Sequence, residues 1–381
     1  MSPIREVVRL ATGLVGVGAM LILLVLPPGG SAGTRPVPAP GPGTDRVAQP
    51  LRALARPVDL YIGTAVNMDW LPVQAEYRDR IGTEFSSVTP ESVMKWRVVE
   101  PVRGQLDYSD ADALVEFARE HGQRVRGHTL VWHDELPAWL TGGSFTTDQL
   151  RQILRQHVID EVTHFRGKVA EWDVVNEALD EDGSLRDTIW LRNLGPGYLA
   201  DAFRWAHQAD PGARLFYNDN TIEQVNPKSD SALALVRQLR AQGVPIDGVG
   251  FQSHLVLGAP VPSSFQQNLG RFSALGLAVE ITEADVRVPL PVDAAKLDAQ
   301  AGLYQMLVGA CLHTTRCTGV TVWGFTDQHS WVAGGLFPGY GAADLLDAGF
   351  RPKPAYYAVA ADLFVAGGPG GDPLTRTYFP R

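Results

Sequence analysis

Residues 169–179 read VAEWDVVNEAL, a valine-rich run that ends in two polar side chains, Asn176 and Glu177. Short apolar or β-branched runs of this kind are typical of buried strands. The chain contains eight such runs, over residues 60–66, 85–89, 124–130, 169–175, 214–218, 248–252, 277–282 and 319–325. Amphipathic stretches that predict helices lie between several of them, as at 110–121, 148–165 and 297–313. This alternation favours an α/β fold, a single (β/α)8 TIM barrel.

A doubly wound parallel sheet is the alternative, because it also alternates strands with helices. No GxGxxG motif or P-loop follows the first predicted strand, and those motifs are what a nucleotide-binding sheet of that kind would carry there. We therefore expect the barrel, with its active site at the C-terminal face of the strands, where the loops that follow the strands meet.

The overall composition argues against several classes of partner. The 381 residues are 45% hydrophobic and 20% charged, which is ordinary for a globular protein. The formal net charge is −9, so nucleic acid is not an expected partner, because phosphate binding leaves a basic surface. Cys311 and Cys317 are the two cysteines, and the sequence has no CxxC motif or Cys/His cluster. We expect neither a metal site nor a cofactor. The cysteines form either a disulfide, as an exported chain would permit, or two separate thiols.

The N-terminal residues differ in composition from the rest of the chain. Arg5 and Arg9 precede an apolar run over residues 10–26, and small residues that resemble a signal-peptidase site follow it. This pattern predicts a cleaved signal peptide or an uncleaved membrane anchor within residues 1–32. Positive charge before the run places the rest of the chain outside the cell in either case. We expect a secreted protein, or an extracellular one tethered to the membrane through residues 10–26.

The remaining chain divides by composition into three parts. A linker rich in Pro, Gly and Ala is predicted over residues 33–56, a catalytic barrel over 57–365 and a loose tail over 366–381. A span of roughly 310 residues suits one barrel domain with insertions. We expect this domain to be a monomer.

Polar side chains lie at the ends of seven predicted strands. They are Glu91 and Lys95, His128, Trp132 and His133, Asn176 and Glu177, Asn218 and Asp219, Gln252 and His254, Glu283 and Asp285, and Trp323 and Asp327. A helix cap or a buried ion pair explains any one of these placements. It does not explain seven strands that end in this way, and the pattern predicts an active site at this face.

Two of these residues are glutamates on opposite sides of the predicted barrel mouth. Glu177 ends the fourth strand and Glu283 ends the seventh. Two carboxyl groups that face each other across a cleft suit glycoside hydrolysis, in which one protonates the leaving oxygen and the other attacks the anomeric carbon or activates water. A separation of about 5 Å would give retention of configuration. No metal triad and no GxSxG elbow with suitable partners competes with this interpretation.

Eight motifs occur in a fixed order over about residues 60–360. They are SSVTPESVMKW, RGHTLVWH, WDVVNEAL, FYNDN, GVGFQSHL, VEITEADV, GVTVWGFTDQHSW and RPKPAYYAV. With these motifs the chain resembles glycoside hydrolase family 10, the retaining endo-β-1,4-xylanases. The resemblance implies a polysaccharide substrate, xylan, whose internal β-1,4-xylosidic bonds are cleaved by double displacement. The segment CLHTTRC also resembles a short disulfide loop of that family, which favours the pairing of Cys311 with Cys317.

The resemblance also implies roles for individual residues. Glu177 matches the general acid/base, whose pKa we expect to be raised, and Glu283 matches the nucleophile. Asn176 would bind the 2-hydroxyl of the sugar at the cleavage site. His254 would orient Glu283 with Asp285 behind it, although Asp285 also suits a purely structural pairing. Gln252 would lie beside Glu283 and His254 in the substrate-binding site. Glu91, Lys95 and His128 would hold hydroxyls of the glycone, the part of the substrate that bonds to the enzyme. Trp323 and Trp331 would form walls of the same subsites, and Trp132 would pack beneath them.

Three places depart from the family pattern, and all are substrate-binding positions. Ser92 replaces an Asn that helps to bind the second glycone sugar, and Asp134-Glu135 replace Ser/Asn-Gln in the same subsite. Asn220 stands where the family often has a Tyr that stacks on the leaving-side sugar. A different β-glycan or a glycoconjugate is therefore the alternative substrate. A non-catalytic carbohydrate-binding barrel is a more remote alternative, which predicts the loss of a catalytic carboxylate.

Overall fold

Eight parallel strands close into a barrel in the computed structural model, which describes residues 49–334 and 336–368. The barrel strands are β1 (Tyr61–Val66), β2 (Ser87–Pro90), β3 (Arg124–Val131), β4 (Glu171–Asn176), β5 (Arg214–Asp219), β6 (Gly248–Phe251), β8 (Ala278–Pro289) and β9 (Cys317–Val322). Two short strands, β7 (His254–Val256) and β10 (Tyr340–Gly341), pair with β8 outside the ring. Strand β1 pairs with both β2 and β9, which closes the ring. The predicted (β/α)8 barrel is confirmed.

Strand β8 is the one strand that differs much from its prediction. It was expected to end at Thr282 but continues to Pro289. Its extension pairs with β7, where His254 lies opposite Asp285, and with β10, where Gly341 lies opposite Val288. Because β7 and β10 are distant from β8 in sequence, their pairing with the extension leaves no local signal. The polar residues after Thr282 therefore indicated the end of the strand. The extension carries Asp285 and Arg287 along the rim of the site.

Helices connect the strands. They are α1 (Leu51–Ala55), α2 (Ala75–Glu84), α3 (Trp96–Val99), α4 (Ser109–Glu120), α5 (Ala138–Thr141), α6 (Thr147–His164), α7 (Ile189–Leu194), α8 (Gly197–Ala209), α9 (Pro227–Ala241), α10 (Phe265–Ser273), α11 (Ala294–Leu312) and α12 (Pro354–Gly367). Helix α6 begins with a capping box, in which the side chains of Thr146 and Gln149 each accept from the other's backbone N–H. A disulfide between Cys311 and Cys317 joins the end of α11 to the start of β9.

The folded part begins earlier than the expected boundary at residue 57. Helix α1 buries Leu51 and Leu54, and the backbone N–H of Leu51 donates to Glu84 Oε2 at 2.9 Å. Residues 51–56 are therefore part of the fold and not of a linker. Arg52 lies within this short helix and Arg56 directly follows it, which gives the segment a polar character in the sequence.

The segments predicted as leader, as most of the linker and as most of the tail lie at residues 1–48 and 369–381, outside the described residues. Within 49–334 and 336–368, no helix is both long enough and apolar enough to cross a membrane.

The lower interior of the barrel contains a buried cluster of charged side chains. Arg126 is 1% exposed and donates from Nε to Asp173 Oδ2 at 3.0 Å and from Nη1 to Glu280 Oε2 at 2.8 Å. Arg214 donates to Glu280 Oε1 at 3.1 Å and also pairs with Glu171. We call these five residues the floor cluster. Because each charge has an opposite partner, the cluster ties β3, β4, β5 and β8 together beneath the site.

Candidate active site

The loops at the C-terminal face of the barrel surround a cavity of about 700 Å³. Its lining consists of Glu91, Ser92, Lys95, His128, Trp132, Asp134, Glu135, Asn176, Glu177, Asn220, Thr221, Gln252, His254, Glu283, Arg287, Trp323, Trp331 and Leu336. It brings together each residue predicted to act in catalysis or substrate binding, apart from Asp285. That carboxylate is fully buried behind His254.

Glu283 lies on β8 and is 5% exposed. Its Oε1 accepts from Asn218 Nδ2 at 2.7 Å, and its Oε2 lies 3.2 Å from His254 Nε2. The Nδ1 atom of His128 lies 4.0 Å from Oε1. Donors therefore hold both carboxylate oxygens, which fixes the direction in which Glu283 presents its lone pairs to the cavity.

His254 connects Glu283 to Asp285. Its Nδ1 lies 2.8 Å from Asp285 Oδ2, which also accepts from Trp331 Nε1 at 2.7 Å. Burial lowers the pKa of His254, but Asp285 and Glu283 outweigh burial and raise it to about 10. The imidazole is therefore protonated at neutral pH and donates from both ring nitrogens.

Glu177 follows β4 with a left-handed backbone, φ 54°. Its Oε2 accepts from Trp132 Nε1 at 3.0 Å, and its Oε1 accepts from Gln252 Nε2 at 2.9 Å. Burial raises the pKa of Glu177, but these hydrogen bonds, together with smaller contributions from His133 and Arg186, outweigh burial. The pKa therefore lies below its ordinary value, and the expected raised pKa is wrong for this state of the site, because the donors favour the ionised form.

A chain of amides links the two glutamates. Asn176 Oδ1 accepts from Asn218 Nδ2 at 2.9 Å and from Gln252 Nε2 at 3.3 Å. Asn218 also bonds Glu283, and Gln252 also bonds Glu177. Thr282 Oγ1 donates to Asn218 Oδ1 at 2.7 Å, which fixes the orientation of that amide. Both carboxyl groups thus belong to one hydrogen-bond network.

A second group of side chains lines the cavity from β2 and β3. Lys95 Nζ lies 5.0 Å from the centre of the Trp132 ring. Burial lowers the pKa of Lys95, although Glu283 and Glu91 oppose this. Burial raises the pKa of Glu91, against the charge of Lys95. His128 Nδ1 lies 3.0 Å from Asp173 Oδ2, so the floor cluster supports this side of the cavity.

Two tryptophans come from the chain that follows β9. The Trp323 ring centre lies 5.2 Å from that of His128, and the two rings meet edge to face. The Trp331 ring centre lies 4.9 Å from that of His254. The cavity therefore combines aromatic walls with a charged and amide-rich base. This combination can bind a sugar ring while its hydroxyls are hydrogen-bonded. Within residues 49–334 and 336–368, no group of three or more His, Cys, Asp or Glu side chains could hold a metal ion.

The sequence profile of glycosyl hydrolase family 10 matches residues 50–362. The chain belongs to glycosyl hydrolase family 10. It is 44% identical over 313 residues to endo-1,4-beta-xylanase B of Thermotoga neapolitana, which covers 81% of this chain and 90% of that protein. An endo-1,4-beta-xylanase of Agaricus bisporus is 44% identical over 301 residues, covering 78% of this chain and 90% of that protein.

Solved structures of family 10 members have the same fold. Native xylanase 10B of Thermotoga maritima superposes with a TM-score of 0.80 at 42% identity, covering 82% of this chain and 98% of that one. Xylanase 10B of Thermotoga petrophila, solved in complex with xylobiose, gives a TM-score of 0.81 at 42% identity, covering 84% and 98%.

Within the family 10 site, the three departures lie where the sequence placed them, on the cavity wall. Ser92, Asp134 and Glu135 line it together with Glu91 and Lys95. Arg97 forms an ion pair with Glu135, and its backbone N–H donates to Glu135 O at 2.9 Å. The carboxylate of Glu135 therefore has a cationic partner that a neutral glutamine would not need.

Asn218 and Arg287 were not predicted to act in the family 10 site. Asn218 was predicted to lie at the end of a strand, but nothing in the sequence indicated that it, and not the neighbouring Asp219, would contact Glu283. Arg287 follows Asp285 by two positions on β8, and period-two alternation could have placed both on one face. Its guanidinium lies 3.6 Å from the centre of the Phe337 ring and 5.2 Å from that of Trp331. Arg287 thereby holds the loop that carries Trp331.

Proposed function

We propose that this family 10 enzyme is a retaining endo-1,4-β-xylanase, which hydrolyses internal β-1,4-xylosidic bonds by double displacement. The observation that carries the proposal is the single hydrogen-bond network that holds Glu177 and Glu283 at the mouth of the barrel. The endo-1,4-beta-xylanase names of the relatives support xylan as the substrate.

In the first step, Glu283 attacks the anomeric carbon while the glycosidic C–O bond breaks and Glu177 gives its proton to the departing oxygen. Donation from His254 and Asn218 orients Glu283 for this attack. Glu177 must be protonated at this stage. Substrate that covers the cavity adds to the burial of Glu177, and burial is the largest influence that raises its pKa.

In the second step, Glu177 takes a proton from water while the water oxygen attacks the anomeric carbon and Glu283 leaves. The sugar is released with its original configuration. The donors Gln252 and Trp132 favour the ionised form of Glu177, which is the form that this step requires. The arrangement suits a residue that alternates between acid and base.

The glycone sugars would lie against the wall formed by Glu91, Lys95 and His128, with Trp323 and Trp331 beside them. The Thermotoga petrophila enzyme, which has a closely similar fold, was solved in complex with xylobiose, and this supports a xylose-based ligand for the cavity. A different β-glycan is the second candidate substrate. Ser92, Glu135 and Asn220 motivate it, because the first two change polar groups that would meet sugar hydroxyls and the third replaces an aromatic ring that would stack on a sugar.

The test is the release of reducing sugar from xylan by the purified protein, with Glu283→Ala as the blank. Release that the substitution abolishes is the expected result. Proton NMR of the fresh product should show the β anomer first, because two inversions restore the configuration. Release of the α anomer first would contradict double displacement. Activity on another β-glycan and none on xylan would move the substrate to the second candidate.

The leader pattern of residues 1–32 supports export, either as a secreted monomer or as a monomer tethered through residues 10–26. Expression in a bacterial host with fractionation of medium and membranes distinguishes the two forms. A cleaved leader gives soluble protein that begins near Ala32, whereas an uncleaved anchor gives protein that only detergent releases.

A further inference from the structure

The loop between β1 and α2 carries an exposed tryptophan. Trp70 is 39% exposed, more than any other of the nine tryptophans, all of which lie within the described residues. One face of its ring stacks on His329, with the ring centres 4.2 Å apart and the planes 16° from parallel. Because that face is covered, the exposed area belongs to the opposite face and the edge of the indole. Covering such a flat apolar surface with a ligand is favourable.

Side chains from two loops hold His329 beneath this ring. Its Nε2 lies 2.6 Å from Gln74 Oε1, and Gln74 Nε2 donates to Gln328 Oε1 at 3.1 Å. The Tyr77 ring meets His329 edge to face, with the centres 5.5 Å apart. Burial lowers the pKa of His329, so the imidazole is neutral at pH 7 and donates its one proton from Nε2 to Gln74. Trp70 is therefore held in place before a ligand arrives, which reduces the entropy lost on binding.

Trp70 lies at the rim of the catalytic cavity, between two of the residues that line it. The backbone N–H of Glu91, which lines the cavity, donates at 2.9 Å to O of Val66, the last residue of β1, and Trp70 follows four residues later. On its other side, the stacked His329 lies two residues before Trp331, which also lines the cavity. Trp70 itself is not part of that lining. The exposed ring therefore lies outside the cavity, beside its Glu91 and Trp331 walls.

Polar groups at the edge of the exposed ring indicate the chemistry of its ligand. Gln328 is exposed and uses its Oε1 to accept from Gln74, so its Nε2 can donate to a ligand. Asp69, which precedes Trp70, is exposed too, and its charge disfavours an anionic ligand. An apolar face with hydrogen-bonding groups at its edge suits a neutral sugar, whose ring has an apolar face and whose hydroxyls lie around its rim.

We propose that Trp70, supported by His329, is an auxiliary platform on which a sugar of the polymeric substrate stacks outside the catalytic cavity. The inference rests on the proposed glycanase function and adds a second point of attachment for the same chain. A polymer that is held at both places binds more tightly than either contact alone would allow, because the second contact forms within one complex. A short oligosaccharide that fills only the cavity does not gain this contact.

The experiment measures binding in a Glu283→Ala background, in which the ligand is not hydrolysed. Affinity electrophoresis through gels that contain soluble xylan gives the Kd for the polymer, and calorimetric titration gives the Kd for xylobiose. Adding Trp70→Ala should raise the Kd for xylan by a factor about three- to tenfold larger than the factor for xylobiose. Trp70→Tyr keeps a flat ring and should give a smaller difference. Phe364→Ala is the matched control, because Phe364 is an aromatic residue that is 46% exposed on α12, outside both loops, and it should give no difference.

Retained binding of xylobiose shows that a variant is folded. Equal losses on xylan and xylobiose in Trp70→Ala, or no loss on xylan, would overturn the auxiliary platform and leave the xylanase proposal standing. Glu283→Ala protein that binds neither ligand, together with wild-type protein that releases no reducing sugar from xylan, would instead overturn the proposed function, and this inference with it.

Discussion

Asn218 donates its side-chain amide to Oε1 of Glu283 at 2.7 Å, and Thr282 holds that amide in place. Because this hydrogen bond is made to the carboxylate that would attack the sugar, its loss should lower the rate of the chemical step. A hydrogen bond to a charged group contributes about 1.5–3 kcal/mol. We expect Asn218→Ala to lower kcat on an aryl xylobioside by about 10- to 100-fold with a smaller change in KM.

Thr282→Val is the matched control, because it removes the hydroxyl that orients Asn218 but keeps Asn218 itself. Its effect on kcat should be smaller. Steady-state kinetics on both variants give the comparison, and an unchanged kcat in Asn218→Ala would show that Glu283 does not depend on this donor.

Glu177→Ala should separate substrates by their leaving groups. Xylan needs a proton on its departing oxygen, whereas an activated aryl group leaves without one. We expect the loss of kcat/KM to be at least about 100-fold larger on xylan than on an activated aryl xylobioside. Parallel assays on the two substrates check this expectation. Equal losses would remove Glu177 from the acid role.

His254 should make stability depend on pH. Its pKa is about 10 in the folded protein, against an ordinary value of 6.5. A raised pKa stabilises the fold fully below about pH 6.5 and ceases to do so as the pH rises through about 10. The stability advantage of wild type over His254→Gln, on the order of a few kcal/mol at most, should therefore shrink between these values. Urea unfolding at several pH values measures it, and a constant difference would contradict the assignment.

Glu161, which lies outside the cavity, should give the stability of the protein the opposite dependence on pH. It is fully buried on α6, and neither of its carboxyl oxygens has a hydrogen-bond partner among the described residues. Burial raises its pKa well above the ordinary value. Because the unfolded chain ionises first as the pH rises, Glu161 lowers stability at neutral pH relative to acid pH.

We expect Glu161→Gln to be more favourable, relative to wild type, at about pH 8 than at about pH 4, by on the order of 1–2 kcal/mol. Thermal unfolding at the two pH values checks this difference. Activity should be unaffected, since Glu161 does not line the cavity. A stability difference that does not change with pH would show that Glu161 is ionised in the folded protein.

The sequence predicted the barrel because each strand has a local signature. The run at 124–130 is observed as Arg124–Val131, and 214–218 as Arg214–Asp219. The site followed from the same signature, since parallel strands bring their C-terminal ends to one face. The family resemblance then supplied the roles of Glu177 and Glu283, whose side chains the structure brings to the same cavity.

Contacts between distant residues were beyond the reach of local patterns. Arg126 meets Glu280 across 154 positions, and Lys228 meets Glu181 across 47. An arginine within a predicted strand and a lysine at a helix start look like solvated residues when read locally. The lowered pKa of Glu177 was missed for a similar reason, because Trp132 and Gln252 act on it from other strands.

The floor cluster also bears on how this barrel can be redesigned. Removing one member, for example Arg126, would deprive Asp173 of its guanidinium partner and leave Glu280 with Arg214 alone, and a broken buried pair costs about 3–5 kcal/mol. Exchanging the entire cluster for apolar side chains of matching volume need not carry that cost. The five positions should therefore be replaced together, because changing one residue at a time passes through variants in which a buried ion pair is broken.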